Sequence, residues 1–129
     1  MGAAGDDAPV DPFDLPEWLG EQEVSWTAVT SLGEARVVGR LTTQDGKSLD
    51  CDLLAGVSAF PRPVLADTWR TAAHGAWWRG EALLLRQAGR LTVVLPGSEV
   101  SAAPALDAVG RLAKAVGAST DRFQVVLRL

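Results

Sequence analysis

The sequence predicts an α+β fold: a five-stranded antiparallel sheet with helices packed on one face, in the order α-βββ-α-ββ-α. Three observations carry this expectation. Apolar and polar residues alternate in short runs, as in "EVSWTAVT" and "SLDCDLLAGV". Asp45-Gly46 and Ala88-Gly89 each separate two such runs, where a hairpin needs its turn. Two longer stretches, 64–78 and 101–117, repeat apolar residues at helical spacing. At 129 residues, 47% hydrophobic and 22% charged, the chain has the size and composition of one globular domain.

Residues 1–10 are Gly, Ala, Asp and Pro without periodicity, and they read as a disordered acidic leader to a single domain over 11–129. The stretch "DPFDLPEWLG" then has the marks of a helix over 14–19. Asp14 stands at an N-cap, Glu17 at the third helical position of a capping box, and Phe13 and Trp18 at the two positions of a hydrophobic staple. Pro16 loses no hydrogen bond in a first turn, and Gly20 is placed to end it.

Three strands follow. Val24, Trp26 and Ala28 share one face of the first. "ARVVGRLTT" and "SLDCDLLAGV" flank the turn "QDGK". Leu49, Cys51 and Leu53 point one way in the third strand, while Asp50 and Asp52 point the other way into solvent. "FPRP" breaks the sheet, because proline cannot donate to a ladder. A helix over Val64–Trp78 buries Leu65, Trp69, Ala72, Ala73, Ala76 and Trp77. "EALLLRQAGRLTVVLPG" forms a second hairpin. A further helix turns Leu106, Val109, Leu112, Ala113 and Val116 inward, holds Arg111 and Lys114 outward, and ends at Gly117. The last segment, "STDRFQVVLRL", fits strand or helix; the turn before it and its flanking charges favour helix.

This order of elements resembles the bacterial secretion-chaperone-like fold, a likeness of topology alone. The resemblance implies a protomer that often dimerises and binds other proteins. Ten Arg against two Lys, with abundant Ala, Gly and Val, is the composition of GC-rich bacterial coding.

Charge and motifs exclude more than they assign. Residues 1–23 hold seven acidic side chains and no basic one, leaving 12 basic and nine acidic in the remainder. That small, scattered excess is no nucleic-acid footprint. The first ten residues lack the pattern of a secretory or myristoylation signal, and no apolar run is long enough to span a membrane, so the expected address is cytoplasmic. Cys51 is the single cysteine, which rules out an internal disulfide. Asp45, Asp50 and Asp52 lie near one hairpin but lack metal-ligand spacing, and no metal or cofactor is expected. "QDGKS" fails as a phosphate loop because Leu41 stands where its first glycine should be.

Five tryptophans in a chain this short are the informative excess. Trp77 and Trp78 are about 100° apart on a helix, which pushes Trp78 to the rim of the buried stripe. Trp18, in the first helix, also lies near the periphery. Aromatics at a core's edge are what protein interfaces use. The leading expectation is therefore a non-enzymatic protein-binding module, adaptor, chaperone-like or regulatory, acting as a homodimer with Trp18, Trp78 and Phe13 in contact with a protein partner. The alternative is a small-molecule-binding protein or minor enzyme, with His74, Arg70 and Trp69 lining a pocket between sheet and long helix.

Overall fold

In the computed structural model, which describes residues 8–56 and 67–126, the described residues build one mixed sheet of eight strands. These are β1 (Ala8–Pro9), β2 (Val24–Ala28), β3 (Arg36–Val37), β4 (Gly39–Thr42), β5 (Ser48–Ala55), β6 (Leu83–Gln87), β7 (Arg90–Leu95) and β8 (Phe123–Val126). They lie side by side as β1-β6-β7-β5-β4-β2-β8, with β3 paired to the C-terminal half of β5. The helices are α1 (Trp18–Glu21), α2 (Asp67–Trp78) and α3 (Ala102–Ala115). Residues 64–66, including Leu65 of the expected helix, lie outside the described residues.

The five-stranded antiparallel sheet is corrected by two parallel pairings. β5 runs parallel to β7, from Cys51↔Leu91 to Ala55↔Leu95. β2 runs parallel to β8, from Val24↔Phe123 to Thr27↔Val126. The C-terminal segment is therefore a strand rather than a helix, preceded by a 3-10 turn at Thr120–Arg122. Its alternation decides this: Phe123 is buried and Val125 packs on the core, while Gln124 and Val126 face outward.

Helices on one face is the second correction. Cys51, Leu53 and Ala55 of β5 share the main core with Leu91, Val93 and Leu95 of β7, Trp26, Leu41 and the buried stripe of α3. Leu54, Val94 and Leu85 point the opposite way, onto Ala73 and Trp69 of α2. A parallel central pair needs cover on both sides, which is why the C-terminal halves of β5 and β7 carry unbroken apolar runs. In α3 the inward stripe is Ala105, Ala108, Val109, Leu112 and Ala113; Leu106, expected inside, is exposed.

The N-terminal region departs from its expected form. Ala8–Pro9 pairs with Leu85–Arg86, and the Val10 amide donates to the Leu84 carbonyl at 2.9 Å, so the end of the supposed leader is an edge of the sheet. Asp11, not Asp14, caps the first turn: its Oδ1 accepts from the Phe13 amide at 3.0 Å in a 3-10 turn over Pro12–Asp14. α1 starts later, with Glu17 at its cap and no side-chain capping bond. Phe13 makes no staple, because 94% of it is exposed. Leu19, fully buried, anchors the helix instead, with Trp18 half-buried beside it.

Both hairpins form where the turn residues place them. The β6–β7 loop is Ala88-Gly89, with φ of 51° and 77°, the pair of left-handed residues that a two-residue turn matching strand twist requires. Alanine is strained there. Ala88→Asn should stabilise the protein by about 0.5–1 kcal/mol, because asparagine tolerates this region better. A urea midpoint equal to or below that of the wild type would contradict the strain.

Candidate functional site

Among the described residues, basic side chains gather with other polar groups in at least two places. The first is on the α2 side of the sheet, where the strand alternation points Asp52, Thr92, Arg90, Gln87 and Arg36 the same way. Asp52 was expected in solvent and is 2% exposed at its side chain. Arg36 Nη1 donates to its Oδ2 at 2.9 Å, and Arg90 Nη2 to its Oδ1 at 2.9 Å. Arg36 Nη2 also donates to the Gln87 side-chain carbonyl. Asp50 takes part at the open side, 3.1 Å from Arg90 Nη1 and 3.4 Å from Arg40 Nε. The bond to Asp52 holds the Arg90 guanidinium above its ordinary pKa, outweighing burial.

This cluster closes a break in the sheet. β3 and β4 pair with β5 in one continuous register, but the ladder lapses at Val38–Gly39. There the Gly39 amide donates to Asp52 Oδ1 at 3.3 Å, and Arg90 Nη2 donates to the Gly39 carbonyl at 3.3 Å. From the opposite face Trp26 Nε1 donates to the Cys51 carbonyl at 2.8 Å. A Cβ at position 39 would stand 2.5 Å from the Trp26 ring, so only glycine fits. Every acceptor on Asp52 is thus taken by a donor of the fold, which makes it a five-strand tie rather than a general base. Cys51 next to it is a buried thiol whose pKa is pushed well up, first by burial and then by the Asp52 charge.

The second place is a cleft of about 580 Å³. Pro9, Val10 and Pro12 form one wall; Ala76, Arg79 and Gly80, at the end of α2, form another; Arg111, Lys114 and Ala115 of α3 close it. Leu83 and Leu84, from opposite faces of β6, add apolar lining at this edge of the sheet. Arg111, expected to point outward, holds this corner together. It stacks 3.6 Å from the Trp77 ring centroid and donates from Nη1 to the Trp77 and Glu81 carbonyls, each at 2.8 Å. A cation on the Trp77 carbonyl, in the last turn of α2, is favourable for the same reason as any helix C-cap charge.

The expected site residues scatter around these features. Phe13 and Trp78 are 94% and 87% exposed, and each belongs to an element that walls the cleft. Trp18 is half-buried at the edge of the core, as its peripheral position implied. Trp69 packs under α2 on Leu54 and Val94, Arg70 is half-buried, and His74 is exposed. The three do not converge on the cleft. The acids once weighed as metal ligands are each tied to a base: Asp45 is held at about 2, mainly by its hydrogen bonds from Lys47 and Thr43. Among the described residues no group of His, Cys, Asp and Glu is placed to hold a metal, and no helix is long and apolar enough to cross a membrane.

Sequence reasoning missed the cleft, Arg111 and the Asp52 tie. The one available signal was Asp52 itself, a charge in a run that is otherwise apolar through Ala55. No protein-family model, curated protein or solved structure matches the chain.

Proposed function

We propose that the protein is a non-enzymatic, cytoplasmic protein-binding module, of adaptor, chaperone-like or regulatory kind, that works as a homodimer. The observation carrying this reading is the pair Phe13 and Trp78. Each leaves almost its whole ring in water on an element that frames a cleft lined in part by apolar residues. Exposed large aromatics around a concavity are the usual anchors of protein recognition, because they bury much area with few rotatable bonds. The same volume would also accommodate a small ligand, which keeps that alternative as the second reading.

A photo-crosslinking residue placed at position 13 or 78 in living cells tests the first reading. Discrete protein adducts are expected from both positions, with none from Gln124, which is exposed on the distant edge strand. No protein adduct from either position would remove the protein-binding reading and leave the small-ligand one.

A further inference from the structure

The lip and the interior of the cleft carry opposite charges. Arg79, Arg111 and Lys114 line it against a single acid, Glu81. Phe13, beside the lining residue Pro12, is flanked by Asp11 and Asp14, with Glu17 following. Arg111 is already committed to backbone carbonyls and Asp107, and Arg79 to Glu81. Lys114 and Asp14, by contrast, are exposed and have no ion-pair partner among the described residues. Phe13 touches almost nothing of its own chain, so it does not close its own cleft.

One surface thus presents both an exposed aromatic ring with Asp11 and Asp14 beside it in sequence and a basic, partly apolar hollow. Such a surface is complementary to itself under a two-fold rotation, which brings the same patch of two copies together and makes every contact twice. We propose that the occupant of the cleft is a second copy of this chain. Phe13 of one protomer enters the cleft of its partner, and Asp14 pairs with the lysine at position 114 across the contact. This deepens the protein-binding reading and rests on it: it names the partner and the residues that select it. Charge pairing of this kind sets register and rejects other partners more than it adds affinity.

The test is sedimentation equilibrium on the full chain and on two charge-reversal variants, Asp14→Lys and Lys114→Glu. Both positions are exposed, and circular dichroism establishes that each variant is folded. The wild type should dimerise, and each variant alone should remain monomeric, because like charges then face each other at both contacts. An equimolar mixture of the two variants should dimerise again, since position-14 lysine meets position-114 glutamate at one contact and the original pair re-forms at the other. Phe13→Ser should weaken wild-type association at least about tenfold through the lost apolar burial. A monomeric wild type at about 100 μM, a weak-association threshold, would overturn the proposal. Variants that still dimerise singly would do the same, as would a mixture that stays monomeric. Crosslinked adducts to a different protein at positions 13 and 78 would, in those cases, leave the protein-binding reading standing with another partner.

Discussion

Gly39→Ala should destabilise the protein by about 3 kcal/mol, the upper end of what overpacking costs. The added methyl group would lie 2.5 Å from three atoms of the Trp26 indole. That ring cannot retreat, because Trp26 is fully buried and its Nε1 is tied to the Cys51 carbonyl. Moving it would leave a buried carbonyl without its donor at the point where the β4–β5 ladder is already interrupted. Trp26→Ala alone should cost about 3–5 kcal/mol through the cavity it opens. The two changes should be strongly non-additive: in the Trp26→Ala background, Gly39→Ala should cost less than about 1 kcal/mol. Urea denaturation of the four proteins completes the cycle. Additive losses would show that the indole is not what excludes a side chain at position 39.

Asp52→Ala is the second large effect, expected at about 2–4 kcal/mol. Removing one member of a buried ionic cluster leaves the others without compensation, which costs about 3–5 kcal/mol when all are buried. Here the loss is smaller, because the Arg36 and Arg90 side chains keep 36% and 30% of their surface exposed and water can partly resolvate them. The Gly39 amide also loses its acceptor. Asp50→Ala, on the same strand face but half in water, should cost less than about 1 kcal/mol. Because Asp52 is buried, molar salt should reduce its contribution only slightly, whereas screening should remove most of the Asp50 effect. Equal denaturation midpoints for the two variants would mean that the cluster does not tie the strands as its geometry implies.

Part of the candidate site was readable beforehand. The 100° step between Trp77 and Trp78 assigns one ring to the core side and one to the rim, and Trp78 stands outside as that step requires. Phe13 was expected to pack against Trp18 in a staple; instead Asp11 caps a tighter turn and leaves the ring in water. The cleft was not readable, because its walls come from β1, the end of α2 and the outer face of α3, segments far apart in the chain. Nor was the ion cluster: Arg36 meets Gln87 across 51 positions, and Asp52 meets Arg90 across 38. Helical spacing gave Arg111 as an outward residue, and only the arrival of the α2 C-terminus beside it turns it into a cap.

The sequence by itself determined the local conformations. Alternation set β2, β4, β5 and the second hairpin; Asp45-Gly46 and Ala88-Gly89 set two turns; helical spacing set α2 and α3. These depend on φ/ψ preferences and on which side of a short element is apolar, both of which act over a few residues. Only the tertiary structure decided which strands became neighbours, and with that the faces the helices cover. The pairing of Val24 with Phe123, the parallel meeting of β5 with β7, and the burial of Asp52 all join distant segments. Alternation reads the same whether the neighbouring strand is parallel or antiparallel, so the choice falls to whichever arrangement buries both faces of the central pair and satisfies the Asp52 carboxylate.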